Sequence, residues 1–267
     1  MLIEFFCPRW GSENIAWTDF LEKVKQSGYQ GIEYGIAYDT PKAELDEVWN
    51  GAMKAGLKMI AQHYDTAEID FSKHFDTYCA WLEKLSSYPV EKINSQTGKD
   101  YFSFEQNKKL IEAANEANGK VVHETHRNKF AFAAHVTREY LEKIPDLRIT
   151  LDISHWICVA ESWLDDQQTT VQLAIERTDH VHARVGYPEG PQVPDPRIEA
   201  WQFALNKHLA WWDKVITKKR NQNTAITITP EFGPYPYMVH IPNTQSPICN
   251  QWDVNVYIME LLRKRYD

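Results

Sequence analysis

Residues 148–155 read RITLDISH, and this stretch decides the fold because its apolar and polar residues alternate one by one. Successive side chains of a β-strand point to opposite faces, so Thr150, Asp152 and Ser154 share one face. The isoleucine and leucine side chains between them form a wholly apolar second face. The pattern predicts a strand that packs its apolar face under helices and turns Asp152 toward an enclosed interior.

The same alternation occurs in three other stretches, KVVHETHR at 120–127, HVHARV at 180–185 and AITITPE at 225–231. In HVHARV and AITITPE the polar side chains fall on one face and apolar or small residues on the other, and in KVVHETHR one face carries Val122, Glu124 and His126. Four neighbouring strands therefore aim acids and imidazoles at one axis. The side chains expected to point inward are Val122, Glu124, His126, His180, His182, Arg184, Thr227, Thr229 and Glu231.

Short apolar runs alternate with amphipathic stretches along the whole chain, which is typical of repeated βα units. The chain has 267 residues, close to the roughly 250 of a TIM barrel. The sequence therefore predicts an α/β protein with one domain over residues 1–267, a single (β/α)₈ TIM barrel. The eight strands are expected at Leu2–Cys7, Gly31–Gly35, Lys58–His63, Val90–Asn94, Lys120–His126, Arg148–Ile153, His180–Val185 and Ala225–Glu231.

Helices are predicted between these strands, where apolar residues recur with helical spacing. The clearest stretches are WTDFLEKVKQSG at 17–28, ELDEVWNGAMKAG at 44–56, FSKHFDTYCAWLEKL at 71–85 and FEQNKKLIEAANEANG at 104–119. Two long proline-rich connections, Gly186–Pro196 and Phe232–Pro247, follow the seventh and eighth strands. In a barrel, connections at the carboxyl ends of strands surround the functional site, so these two are expected to wall a pocket.

Composition excludes several classes of partner. A net charge of −8 opposes binding to phosphate backbones, so no nucleic acid is expected. The N-terminal MLIEFFCPRWG lacks the positive and apolar regions of a signal peptide, and no apolar run is long enough for a membrane span. Four scattered cysteines form no CxxC pair, which favours buried thiols in a reducing compartment. The expected location is cytoplasmic, without membrane contact.

Glu124, Asp152, His182 and Glu231 form the candidate metal site. Burying so many ionisable groups together costs several kcal/mol for each uncompensated charge, so a cation or an extensive hydrogen-bond network is required. Three carboxylates and one imidazole, without a thiolate, suit Mn²⁺, Mg²⁺, Co²⁺ or Zn²⁺. The sequence therefore predicts one divalent metal ion as cofactor.

The ordered motifs HETH at 123–126, DISH at 152–155, HVHAR at 180–184 and PEF at 230–232 resemble those of the xylose isomerase-like TIM barrels. This group includes sugar isomerases and epimerases and also endonuclease IV. The resemblance implies that Glu124, Asp152, His182 and Glu231 are the metal ligands of the ketose epimerase branch. It further implies that Glu124 and Glu231 are the catalytic proton carriers and that His155 binds substrate.

The activity implied by this resemblance is metal-dependent isomerisation or epimerisation of a keto-sugar or sugar phosphate through an enediolate. A lyase or dehydratase of the same superfamily and a non-catalytic sugar-binding barrel are the alternatives. The endonuclease branch fits poorly, because strand four offers Asn94 and the expected Asp-x-His pair is replaced by Asp195-Pro196-Arg197. The expected partner is a small sugar, and a homo-oligomer is compatible with the sequence.

Further substrate-binding candidates lie near the same end of the barrel. Glu33 is placed to bind sugar hydroxyls or to pair with a barrel cation, and Arg184 to clamp an anionic group or to neutralise Glu124 or Glu231. His180 is expected deeper in the barrel, and His123 is expected to face outward as a structural residue. The complete substrate-binding set is His155, Arg184, Glu33, His63, Asn94 and His126.

Overall fold

The computed structural model describes residues 1–117 and 120–267. In this part of the chain, eight parallel strands pair in sequence order, and the first strand also pairs with the eighth, which closes the barrel. The single (β/α)₈ barrel expected from the sequence is confirmed. Its strands are β1 (Ile3–Pro8), β2 (Gly31–Gly35), β3 (Lys58–His63), β4 (Lys92–Ser95), β5 (Val121–Glu124), β6 (Ile149–Leu151), β7 (Thr178–His182) and β8 (Ile226–Thr229).

Helices connect and surround the strands as the apolar spacing predicts. The predicted helix at 104–119 begins at Phe104, but its last two residues, 118 and 119, lie outside the described residues. No helix in residues 1–117 or 120–267 is long and apolar enough to cross a membrane. The helices are α1 (Trp17–Gln26), α2 (Lys42–Ala55), α3 (Phe71–Leu85), α4 (Phe104–Ala117), α5 (Ala134–Lys143), α6 (Ile153–Ala160), α7 (Gln168–Arg177), α8 (Gln202–Gln222) and α9 (Gln251–Tyr266).

Strands β5–β8 end two or three residues earlier at the functional end of the barrel than the alternation predicts. Strand β6 stops at Leu151, and Ile153 and Ser154 already belong to α6, so the strand prediction through Ile153 is wrong. Asp152 caps this helix, because its side chain accepts a hydrogen bond of 3.0 Å from the Ser154 backbone N–H. The polar side chains therefore stand at the junctions where strands give way to loops or helices.

The core has two parts. The larger part fills the layer between the barrel and its helices. A smaller part lies inside the barrel, where Phe6, Ile60 and Val122 are buried on the inner face. A side chain on Gly31 would meet the Phe6 ring at 2.5 Å, so the missing Cβ makes room for this ring. Apolar packing therefore closes the barrel below the polar end.

The two long connections predicted as pocket walls are joined to each other. The Gly233 N–H donates to the Gln192 side-chain oxygen over 2.7 Å, and the Gln192 amide donates back to the Gly233 carbonyl over 3.2 Å. Gln251 at the start of α9 donates to the carbonyls of Trp10 and Phe232. The connections after β1, β7 and β8 thus form one hydrogen-bonded wall.

Candidate metal centre

Four side chains from β5–β8 and their carboxyl ends come together inside the barrel mouth. One ligand atom from each of Glu124, Asp152, His182 and Glu231 lies within 4.8 Å of the ligand atoms of the other three. All four residues are buried. The structure therefore brings the predicted ligand set into one cluster of a size that a single cation can bridge.

The two glutamates have matching surroundings. The Asn94 amide donates to Glu124 Oε2 over 3.2 Å, and the Gln62 amide donates to Glu231 Oε1 over 3.2 Å. The second oxygen of each carboxylate turns toward His182 Nδ1, at 3.4 Å for Glu124 Oε1 and 2.9 Å for Glu231 Oε2. Each glutamate is thus anchored through one oxygen and presents the other to the cluster.

Glu33 orients the imidazole of His182. Its Oε1 lies 3.0 Å from His182 Nε2, which leaves Nδ1 facing the other carboxylates. His180, Thr229 and Asn94 also hydrogen-bond to Glu33, at 3.1, 2.5 and 2.9 Å. Burial acts to raise the pKa of Glu33, but the charges of His182 and His180 hold it well below its ordinary value.

Asp152 is the most constrained carboxylate of the cluster. Its Oδ1 accepts hydrogen bonds from the Ser154 N–H and hydroxyl, while Oδ2 accepts one from Arg184. Arg184 also lies 3.6 Å from Glu231 Oε2, so in the structure it pairs with Asp152 first and Glu231 second. Two roles were considered for Arg184, binding an anionic group or neutralising Glu124 or Glu231. This arrangement corresponds to the second role, with Asp152 as an additional partner.

The carboxylates have divergent pKa values, as expected of crowded acids. Burial raises the pKa of Asp152 to about 6, with Arg184 opposing and Glu231 adding to the rise. Burial acts in the same direction on Glu124, but the charge of His182 lowers the pKa of that carboxyl to about 2. Burial is thus the dominant influence on the pKa of Asp152, whereas the charge of His182 outweighs burial at Glu124.

The residues present fit a divalent cation. Glu124 Oε1 and His182 Nδ1 are buried 3.4 Å apart, and within residues 1–117 and 120–267 they have ion-pair contacts but no well-formed hydrogen bond. Buried polar atoms without a well-formed hydrogen bond are costly, and both of these atoms face the centre of the cluster. Oxygen and imidazole donors without a thiolate suit Mg²⁺, Mn²⁺, Co²⁺ or Zn²⁺.

Two overlapping groups of residues are less suited to a cation. Glu33, His180 and His182 already hydrogen-bond to one another. In the group of Glu124, His126 and His155, the His126 Nδ1 contacts the Arg127 carbonyl, and guanidinium groups face both nitrogens of His155. Both nitrogens of His155 are thus already engaged, so the four-residue cluster is the better site.

Most of the predicted substrate-binding residues surround this cluster. Glu33 and Asn94 lie beneath it, and His126 stacks on His155 with ring centroids 4.0 Å apart at its side. His63 does not join them, because the strand places Gln62 on the inner face instead. The His63 ring contacts Ser95 and Thr66 and packs on Tyr78 and Trp81, outside the barrel.

Several residues of the site were not predicted from the sequence. Gln62 would have been found if the alternation in β3 had been counted one residue earlier. Tyr237 comes from an irregular loop, where no periodicity indicates its direction. A cavity of about 900 Å³ adjoins the cluster, and its walls include Trp10, Trp17, Tyr34, Tyr64, His126, Arg184, Glu231 and Tyr237. The aromatic rings give it the apolar surface on which sugar rings or carbon chains pack.

Comparison with known proteins supports the fold. No protein-family model matches the chain, and no curated protein matches its sequence. Among solved structures, the chain is similar to an AP endonuclease, family 2, from Brucella melitensis, with 11% identity over 87% of this chain and 93% of that chain and a TM-score of 0.55. A β-mannanase from Streptomyces thermolilacinus is 8% identical over 93% and 82% of the two chains, with a TM-score of 0.49. At 11% identity the likeness to the AP endonuclease concerns the fold alone, which is the (β/α)₈ barrel.

Proposed function

We propose that this protein is an enzyme of the xylose isomerase-like kind, a divalent-metal-dependent isomerase or epimerase of a keto-sugar or sugar phosphate. The observation that carries the proposal is the cluster of Glu124, Asp152, His182 and Glu231, in which buried atoms without a well-formed hydrogen bond face the centre. A sugar-sized cavity adjoins the cluster. Metal ligands, two carboxylates and a cavity are the components that this chemistry requires.

The protein's own residues have distinct tasks in this proposal. Glu124, Asp152, His182 and Glu231 would hold the cation, each through one ligand atom. A divalent cation bound there would polarise a carbonyl and its neighbouring hydroxyl, which acidifies the adjacent C–H bond. One of the two glutamates removes the proton from this carbon. The other returns it to the same carbon for epimerisation, or to the adjacent carbon for isomerisation.

A nucleic-acid substrate is not proposed, although one similar structure is an AP endonuclease. Asp195 is paired with Arg197 at 2.7 Å and does not face the cluster's ligand atoms. Asn94 stands on β4 and donates its amide hydrogens to carboxylates. The net charge of −8 also opposes a phosphate backbone.

The test of the metal site is elemental analysis of the purified protein by plasma mass spectrometry, after chelation and reloading with Mn²⁺, Mg²⁺, Co²⁺ or Zn²⁺. We expect about one equivalent of metal in the wild type and none in Asp152→Ala. Asp152→Asn keeps the helix cap and removes the charge, so it separates loss of metal from loss of folding. Asp165→Ala, at an exposed aspartate, is the matched control. A wild-type protein that binds none of the four ions would overturn the proposal.

Activity is then sought by incubating the loaded protein with keto-sugars and their phosphates. An isomerase or epimerase gives a product of unchanged mass in ordinary water, and in deuterated water the product carries one deuteron at the exchanged carbon. A dehydratase gives a product that has lost water. The second outcome would replace the proposed reaction while leaving the metal site in place.

A further inference from the structure

The cavity beside the metal centre has two ends. The metal end is lined by residues on β3 and directly after β5, β7 and β8, namely Gln62, His126, Arg184 and Glu231. The other end, the distal lobe, lies beyond β1 and β2 and is lined by Arg9, Glu13, Trp17, Tyr34 and Glu44. The volume of about 900 Å³ lies near the upper end of the range of about 300–1,000 Å³ for ligand pockets. The cavity therefore has room for more than the few carbon atoms that a metal centre engages.

The two ends of the cavity meet at Gly35. Its chain neighbour Tyr34 lines the distal lobe, and a Cβ at Gly35 would lie 3.3 Å from the side-chain oxygen of Gln62 at the metal end. Because glycine has no side chain, nothing from this residue projects between the two ends. A single ligand can therefore extend from the metal end into the distal lobe.

Trp17 gives the distal lobe a fixed aromatic surface. The guanidinium carbon of Arg9 lies 4.2 Å from the centre of the indole, and the Tyr34 ring meets the indole at 78° with centroids 4.9 Å apart. Both contacts hold the indole in place, while the side chain of Trp17 remains partly exposed. Aromatic rings of this kind provide the apolar surface against which the C–H face of a ligand ring packs.

Hydrogen-bonding capacity remains unused beside this indole. The buried Arg9 donates from Nη2 to the carbonyls of Glu13 and Ile15, at 3.3 and 2.7 Å. Its Nη1 has no hydrogen-bond partner in residues 1–117 and 120–267. Glu44 Oε1 accepts from the Tyr34 hydroxyl over 2.8 Å, and within the same residues its second oxygen accepts no hydrogen bond. A donor and an acceptor together suit hydroxyl groups, each of which can accept and donate.

The charges of the distal lobe disfavour an anionic ligand. Burial lowers the pKa of Arg9, and the charges of Glu13 and Glu44 oppose this effect. An oxyanion in the lobe would thus meet two carboxylates and only one guanidinium. Both oxygens of Glu13 already accept from the Gly11 N–H, at 3.0 and 2.9 Å. A neutral group with several hydroxyls fits this part of the cavity better than a phosphate or a carboxylate.

We infer that the substrate is a glycoside, in which the keto-sugar at the metal end carries a second, neutral sugar ring that the distal lobe binds. Trp17 packs on a face of this second ring, and Arg9 and Glu44 hydrogen-bond to its hydroxyls. The inference rests on the proposed function for the position of the keto-sugar. The second ring contributes binding and selectivity, and the glycosidic bond stays intact.

The experiment compares D-fructose with four glucosyl-fructoses that differ in the position of the linkage, trehalulose, turanose, maltulose and isomaltulose. D-fructose 6-phosphate is the anionic ligand of the series. Dissociation constants are measured by titration calorimetry with metal-loaded and metal-free protein at constant ionic strength. We expect at least one disaccharide to bind about tenfold or more tightly than D-fructose. The inference is overturned if no disaccharide gains affinity, or if D-fructose 6-phosphate binds more tightly than all four.

Trp17→Leu keeps an apolar side chain and removes the aromatic face. It should lower the affinity for the preferred disaccharide by about tenfold and leave that for D-fructose unchanged. Trp163→Leu is the matched control, because Trp163 is partly buried against Phe203 and does not line the cavity. This control should keep the full preference for the disaccharide.

Glu44→Ala is the second variant, at a half-buried position of α2 where folding is less sensitive to substitution. It should lower the affinity for the disaccharide by about fivefold, since a hydroxyl loses its acceptor. A preference that persists in folded Trp17→Leu would overturn the inference. If Trp17→Leu does not fold, a preference that persists in Glu44→Ala would do so.

Failure of this inference can be distinguished from failure of the proposed function. Metal-free protein tests the distal lobe alone, because the second ring does not contact the cation. A preference for a disaccharide in a protein that binds none of the four ions would support the distal lobe and reject the metal-dependent reaction. Metal binding without any gain from the second ring would do the reverse.

Discussion

Substitution of Glu231 can separate metal binding from proton transfer. One of its oxygens is anchored by Gln62 and the other faces the cluster. Glu231→Gln keeps one oxygen ligand but removes the basic carboxylate, so most of the metal affinity should remain. Exchange of the substrate proton into deuterated solvent should fall by about a hundredfold or more. Nuclear magnetic resonance of the substrate measures this exchange, and plasma mass spectrometry measures the metal.

Full proton exchange in Glu231→Gln would contradict the two-glutamate mechanism. Asp152→Asn serves as the contrasting variant, because it should lose both the metal and the exchange. Glu142→Gln, at an exposed position of α5, should change neither property.

Glu33 acts on the metal centre through His182. Its carboxylate fixes His182 Nε2 as the donor and Nδ1 as the free atom. Glu33→Gln retains the shape and loses the charge, so we expect metal affinity to fall by about tenfold or more. Competition with a fluorescent chelator measures this change. An unaltered affinity would show that the orientation of His182 does not depend on Glu33, and Glu44→Gln in the cavity wall is the control.

At the scale of a single strand, β2 requires glycine at position 31, because its neighbours leave no room for a side chain. A Cβ at Gly31 would lie 2.4 Å from the Lys58 carbonyl and 2.5 Å from the Phe6 ring. Backbone cannot move aside at this point, so Gly31→Ala should lower the free energy of unfolding by about 1–3 kcal/mol. Gly35→Ala on the same strand is the control, because its nearest neighbour is a Tyr64 ring atom at 3.2 Å. Urea denaturation measures both, and equal stability would contradict the interior packing around Phe6.

The strands also show what alternation can and cannot predict. The period of two placed His180, His182 and Thr229 on the inner face, where the structure has them. It failed at His63, because the inner face begins one residue earlier in β3. It also extended β6 into α6, since periodicity does not reveal that the Asp152 side chain caps a helix. Capping and register depend on contacts between elements, which are not local to a strand.

Over the whole molecule, the barrel buries neutral histidines that make its stability sensitive to acid. His208 on α8 accepts a hydrogen bond from the Gly186 N–H, and burial lowers its pKa to about 4. The unfolded chain takes up this proton near pH 6.5, while the folded protein does so only near pH 4. The free energy of unfolding should therefore decrease as the pH falls through this interval, by up to about 1.4 kcal/mol per pH unit for this group.

In the variant His208→Gln this group no longer titrates. The free energy of unfolding should therefore depend less steeply on pH, by up to about 1.4 kcal/mol per pH unit. Chemical denaturation at a series of pH values between these two pKa values provides the measurement. His135→Gln is the control, since His135 is exposed on α5. A slope that does not differ between wild type and His208→Gln would mean that the folded protein takes up the proton as readily as the unfolded chain.

At this scale the sequence was sufficient for the architecture and for the clustering of Glu124, Asp152, His182 and Glu231. Eight βα units were enough to predict a closed barrel, and closure then brings the ends of β5–β8 together. Arg127 and Tyr237 could not be predicted in the same way. Their positions follow from irregular connections, where neither period applies.

The paired hydrogen bonds between Gln192 and Gly233 affect how a ligand can enter the cavity. Hydrogen bonds join the connections after β7 and β8 to each other and, through Gln251, to Trp10. This side of the barrel mouth is therefore closed. Residues of β2 and of the connection after β3, such as Tyr34 and Tyr64, line another part of the cavity. A ligand that passed over β7 and β8 would have to break these hydrogen bonds, so entry and exit are expected on the side of β2 and β3.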